Sequence, residues 1–135
     1  MGILLDTGPL VALIDRDDDQ HSIAKQLFSK CPTPFVTTEA VITEACYLAN
    51  KGNSAGAQKI VDLGLRGFYQ IAFALEGHQP VLLKLLEKYE DIPISLADAC
   101  LICCAELQNE PRILTFDTDF EIYRWGRNKR FEIIQ

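Results

Sequence analysis

The chain has 135 residues, of which 48% are apolar, so it is long and hydrophobic enough to bury a core without disulfide staples and is not a disordered polymer. No apolar run approaches the ~20 residues of a membrane-spanning helix, and no basic, cleavable leader opens the chain, so a single cytoplasmic domain over 1–135 is expected. A formal net charge of −6 excludes a general nucleic-acid coat but not an enzyme that meets nucleic acid through divalent cations and one local basic patch.

The first element is Ile3-Leu4-Leu5, a short apolar run that ends at Asp6-Thr7-Gly8. Such a run bounded by turn residues predicts a buried strand. Pro9 to Ile14 predicts a helix, with proline in its first turn. Asp6 then stands at the carboxyl end of a strand, the edge of a parallel sheet where ligands bind. A carboxylate there is costly unless it is hydrogen-bonded, paired or holding a metal. Capping of the following helix is the structural alternative.

Residues 15–19 are an acidic loop whose last aspartates are expected to cap a helix over 21–30. Phe35-Val36-Thr37 predicts a second strand, and 38–50 a helix whose apolar stripe is Val41, Ala45 and Leu48. Glu44 falls on that stripe, an unusual place for an acid. Glu39 lies in the first turn, where negative charge is ordinary, and is assigned a structural role. A helix over 55–66, a strand over 69–73 and a helix over 77–89 come next.

Ser95 opens a helix running to about Leu107, and Asp98 three positions on fits a capping box. However, Leu101, Ile102 and Ala105 lie at i+3, i+4 and i+7 from Asp98, which aims its carboxylate inward at the top of the helix. The same helix carries Cys100, Cys103 and Cys104. With Cys31 and Cys46 they make an odd count, read as small reduced core residues and not a zinc site. A strand over 112–116 ends at Asp117-Thr118-Asp119, repeating the pattern of the opening strand. Asp119 is expected to cap a short helix over 120–123, which leaves Asp117 as the stronger site candidate. A last strand over 131–134 is expected at a sheet edge.

Short strands alternating with longer helices predict an α/β protein with a three-layer α/β/α arrangement and a mostly parallel sheet of four to five strands. In a parallel sheet Asp6, Glu44, Asp98 and Asp117 can meet above one edge. Carboxylates packed together repel strongly at low dielectric, and hard oxygen donors suit Mg²⁺ or Mn²⁺. Such ions activate water and stabilise a phosphodiester under attack.

The ordered set of an apolar strand into Asp6, Glu44 within residues 35–44, Leu96-Ala97-Asp98-Ala99, and Leu114-Thr115-Phe116-Asp117-Thr118-Asp119-Phe120 resembles the PIN-domain nucleases, VapC-type toxins in particular. The resemblance spans essentially the whole chain. It implies that Asp6, Glu44, Asp98 and Asp117 are metal-binding catalytic acids, that Asp119 is a further metal ligand, and that Thr7 and Thr115 are supporting hydroxyls. It further implies Mg²⁺- or Mn²⁺-dependent endoribonuclease activity, homodimers and a partner antitoxin. Gly8 departs from the small polar residue many relatives carry there. RNA contact falls to Arg112, Arg124, Arg127, Lys129 and Arg130, near the C-terminus, with a solvated turn as the alternative for 124–130. Trp125 is assigned to packing in preference to base stacking. Asp6-Thr7-Gly8 also matches aspartic proteases, whose β-rich fold the helical segments exclude. An aspartyl-phosphate domain would want a second acid where Gly8 stands. The alternative from another class is a PIN-like RNA-binding or protein-interaction module with little catalysis.

Overall fold

Leu4 and Leu5 form strand β1 (Leu4–Leu5), and neither exposes any surface. Adjacent residues of a strand point to opposite faces, so both faces here must be covered. The computed structural model, which describes residues 2–52 and 54–135, meets that demand with helices on either side of a wholly parallel sheet. β2 (Phe35–Thr37), β3 (Tyr69–Ile71), β4 (Arg112–Leu114) and β7 (Glu132–Ile133) join β1 in the order β3-β2-β1-β4-β7. Leu4 is in register with Val36 on one side and Ile113 on the other, and Leu5 with Leu114.

The helices are α1 (Thr7–Ile14), α2 (His21–Ser29), α3 (Glu39–Gly52), α4 (Gly56–Leu65), α5 (Gln79–Lys88) and α6 (Leu96–Gln108). Two hydrophobic cores result. Leu4, Val36 and Ile113 pack with Val41, Leu101 and the aromatic residues Phe120, Tyr123 and Trp125. Ile3, Leu5, Phe35 and Leu114 pack with Leu10, Leu27, Ala45 and Ile60. Among the described residues no helix is long and apolar enough to cross a membrane.

Several local expectations are corrected. The acidic loop does not cap α2: the helix opens at Gln20 without a side-chain cap, and Asp18 Oδ1 instead accepts from the Gln20 amide at 2.8 Å. The short helix near the C-terminus is a 3₁₀ turn, Thr118–Glu121, and Asp117 caps it, not Asp119. Residues 124–130, read as a turn or basic patch, contain an antiparallel hairpin of β5 (Arg124–Trp125) and β6 (Lys129–Arg130). Asn128 takes the left-handed conformation in its loop, at φ 62°. Trp125 is buried, with its indole N–H donating to the Arg130 carbonyl at 3.0 Å, in keeping with packing. The five cysteines are free thiols, three of them buried.

Close packing of α4 on α3 depends on Gly56, where a Cβ would come within 2.5 Å of the Ala49 backbone carbon. Gly56→Val is therefore expected to destabilise the protein by about 1–3 kcal/mol through overpacking, read as a lower melting temperature. Gly8→Ser, where the nearest atom to a new Cβ is Phe116 Cβ at 3.7 Å, is expected to melt as the wild type does.

Candidate active site

Three parallel strands deliver their carboxyl ends to one edge, and the placement of the acids is a consequence. β1 runs directly into Asp6, and the Asp6 amide donates to the Leu114 carbonyl at 3.0 Å, which ties the start of α1 to the end of β4. Past β4 the chain passes Thr115 and Phe116 to Asp117. A helix that returns the chain to the start of a parallel strand runs against that strand, so its first turn lies at the same edge. α6 leads into β4 and so carries Asp98 there, while α3 begins there after β2.

Asp6 is buried, and each carboxylate oxygen has a partner. Oδ1 accepts from the Thr7 amide at 2.8 Å, and Oδ2 from Thr115 Oγ1 at 2.6 Å. The capping alternative therefore holds, yet it occupies one oxygen only. Thr115 Oγ1 also accepts from the Asp117 amide at 3.0 Å, and Asp117 Oδ1 accepts from the Asp119 amide at 2.9 Å. Asp6, Thr115, Asp117 and Asp119 thus form one continuous chain of hydrogen bonds.

Asp98 separates its two expected roles. Ser95 caps α6 by accepting from the Asp98 amide at 3.0 Å, but the Asp98 carboxylate accepts from the Tyr123 hydroxyl at 3.3 Å. Only half of a capping box forms. Burial, followed by the charges of Asp6 and Asp117 and, more weakly, Glu44, pushes the Asp98 carboxyl up to about 7. Burial also raises the Asp6 carboxyl, against its hydrogen bonds to Thr115 and Thr7, with Asp117 and Glu44 adding to the rise. The same is true of Asp119, through desolvation and Asp117.

Glu44 is the weakest member of the set. The buried residues of α3 are Val41, Ala45 and Ala49, so the helix turns Glu44 and Leu48 outward, contrary to the stripe drawn through Leu48. Glu44 lies in the wall of an open groove of about 890 Å³ with Tyr47, Phe73, Leu75, Leu96 and Cys100. Its charge still reaches both Asp6 and Asp98.

The basic residues are dispersed. Arg112 lies at the start of β4, the opposite end of the strand from Asp117, and is paired with buried Glu110 through its Nε and Nη2, each at 2.9 Å. Arg124 Nη1 donates to the carbonyls of Glu121, Ile122 and Tyr123. Lys129 Nζ sits 4.8 Å from the centre of the Trp125 ring, and Arg127 and Arg130 are exposed on the hairpin.

The donors fit a hard divalent cation by chemistry. They are carboxylate oxygens whose mutual repulsion a cation would relieve. Beside them Thr7 Oγ1, in a residue only 4% exposed, is a buried hydroxyl without a hydrogen-bond partner among the described residues. By spacing they are looser: among the described residues no three acid, histidine or cysteine side chains are gathered tightly enough to enclose an ion. Sequence reasoning misses Tyr123. It lies just past the 3₁₀ turn, and no local pattern marks it.

The PIN domain family model matches residues 3–126. No curated protein sequence gives a significant match. The fold is similar to a crystal structure of Mycobacterium tuberculosis VapC20, described as a sarcin-ricin loop cleaving toxin. The TM-score is 0.82 at 20% identity, over 90% of this chain and 94% of that one.

The raised Asp98 carboxyl makes the metal-free fold pH-dependent with a definite sign. The folded state holds a proton that the unfolded chain releases at its ordinary 3.8. Stability from this group is full below pH ~4 and is lost as pH rises through about 7. Asp98→Asn is expected to raise the metal-free melting temperature at pH 8 by about 4 °C, the scale of ~1 kcal/mol after solvent screening, and to leave it unchanged at pH 4. Thermal melts in chelator check this.

Proposed function

The chain belongs to the PIN-domain family, and from that membership and the acids at its sheet edge we propose that it is a Mg²⁺- or Mn²⁺-dependent endoribonuclease that hydrolyses RNA phosphodiester bonds. The observation that carries the proposal is the gathering of acids at one sheet edge, where the Thr115 hydroxyl joins Asp6 to the Asp117 segment and burial with the charges of Asp6 and Asp117 raises the carboxyl of Asp98. Groups pushed this far by desolvation and specific charge partners mark functional sites more often than structural ones.

Asp6, Asp98 and Asp117 would hold the ion, with Glu44 and Asp119 reaching it through water. Loose spacing suits Mg²⁺, which keeps several of its waters and binds through one or two carboxylates beside phosphates. When bound, the cation supplies positive charge at the phosphodiester and lowers the pKa of a water. The rest falls to the chain. Thr115 fixes Asp6 Oδ2, so that this carboxylate does not rotate when charge arrives. Thr7 Oγ1, buried beside Asp6 with its donor and acceptor capacity unspent, would act as a supporting hydroxyl that one ordered water satisfies. Arg127, Lys129 and Arg130 supply the positive surface on the hairpin for the RNA backbone, and Arg112, at the far end of β4, the least.

The likeness to VapC20, described as a sarcin-ricin loop cleaving toxin, supports a toxin role; a partner antitoxin, a homodimer and a cytoplasmic location belong to the same proposal. A partner antitoxin or second subunit would find apolar area at Tyr47, Leu75 and Leu96, all exposed and all lining the groove beside Glu44. The outward turn of Glu44 favours a second reading, a module that binds RNA or protein with little catalysis.

Cleavage of a single-stranded RNA by purified protein in Mn²⁺ distinguishes the two. Asp6→Asn or Asp98→Asn is expected to lower the rate at least ~100-fold with the fold retained. Equal rates in variant and wild type, or in chelator and Mn²⁺, contradict the nuclease. Binding without cleavage supports the module. Saturating Mn²⁺ at ~100 times its Kd is expected to stabilise the wild type by about 2.7 kcal/mol, read as a rise in melting temperature.

A further inference from the structure

Beneath Asp98 lies a buried phenol that the metal-binding acids alone do not account for. Tyr123 exposes no surface, and its hydroxyl is aimed at Asp98 Oδ2 at 3.3 Å. The ring is clamped edge-on by Tyr89, at 5.0 Å between centroids, and by Phe120 at 5.1 Å. Phe120 in turn stands against Phe131.

The backbone around Tyr123 is over-determined. Its amide donates to the Asp119 carbonyl at 3.0 Å, closing the turn that Asp117 caps. Its carbonyl accepts from the Arg124 guanidinium at 3.0 Å. The next amide, that of Arg124, donates to the Tyr89 hydroxyl at 3.0 Å. A ring held this way leaves its hydroxyl little choice of direction. A phenol keeps its proton near neutral pH and a carboxylate oxygen only accepts, so Tyr123 meets Asp98 as the donor.

We propose that Tyr123 is a positioning residue for Asp98: its hydroxyl holds Oδ2 and so fixes the orientation of a carboxylate that would bind a divalent ion together with Asp6 and Asp117. This rests on the metal-dependent nuclease reading and deepens it. The phenol plays for Asp98 the part that Thr115 plays for Asp6, a fixed hydroxyl donor to one carboxylate oxygen. A separation of 3.3 Å is long for an O–H donor, and such contacts tighten once the cation or substrate is in place. Losing an outer partner of a metal ligand costs about 10–100-fold in metal affinity or activity. The same tyrosine also links the site to the hairpin, since the Arg124 guanidinium that donates to its carbonyl belongs to β5.

Tyr123→Phe keeps the ring and removes only the donor. The Mn²⁺ concentration at half-maximal thermal stabilisation is expected to rise about tenfold or more. Turnover of a single-stranded RNA oligonucleotide is expected to fall about 10–100-fold with KM unchanged, and adding Tyr123→Phe to Asp98→Asn to cost nothing further. A folded Tyr123→Phe with wild-type Mn²⁺ midpoint and turnover, or a loss that adds fully to that of Asp98→Asn, overturns the proposal. Should Tyr123→Phe not fold, Tyr89→Phe, which loosens the Arg124 amide, must raise the Mn²⁺ midpoint in the same direction; no change overturns the proposal. A wild type indifferent to Mn²⁺ overturns the nuclease reading and this inference together, whereas a responsive wild type beside an equally responsive Tyr123→Phe overturns this inference alone.

Discussion

The arrangement depends on one unfavourable interaction: several carboxylates drawn toward a single point at the carboxyl edge of a parallel sheet. Hydrophobic burial sets up the cost. Leu4, Leu5, Ile113 and Leu114 must be covered on both faces, and that forces β1 and β4 side by side. The residues that leave those two strands are then neighbours: Asp6 from β1, and Thr115 with Asp117 from β4. The chain offsets part of the repulsion with neutral donors, the Thr7 amide and Thr115 hydroxyl for Asp6 and the Tyr123 hydroxyl for Asp98. Burial first, and the remaining repulsion second, raise the carboxyls of Asp6 and Asp98. A protein selected only for stability would replace these acids with neutral or apolar groups.

The two sides of the acids differ in character. One is the apolar groove with Tyr47, Leu75 and Leu96, walled by Glu44. The other is the Thr115–Asp117 segment, which a smaller hollow of about 340 Å³ shares with Ile23, Leu27 and Ile134. Neither carries a dense positive surface, so an RNA backbone would gain its attraction from bound cations and the exposed hairpin residues Arg127 and Arg130. The formal charge of −6 is consistent with that division of labour.

Much of this was legible in the sequence, for reasons particular to each element. The apolar run into Asp6 marks the end of β1, the run before Asp117 marks β4 although that strand stops at Leu114, and the inward side of α6 is set by the positions of Leu101, Ile102 and Ala105. The features that escaped depend on tertiary context. The inward face of α3 is shifted by one residue, because Ala49 and not Leu48 is the one covered, and with it Glu44 moves from the core to a groove wall. Asp119 and Asp117 exchange capping roles because the short helix begins two residues earlier than its apolar pattern implies. The hairpin is hidden by its charges, since Arg124, Lys129 and Arg130 on two-residue strands give no alternation to read. Tyr123 has no local signal of function, its role arising only where the C-terminal turn meets the start of α6.

Anomalous diffraction from crystals soaked in Mn²⁺ tests the central claim most directly. The account predicts a manganese peak between Asp6, Asp98 and Asp117, with water completing its shell. Peaks confined to the exposed acidic loop at Asp17–Asp19, or none at the sheet edge under saturating Mn²⁺, would contradict it.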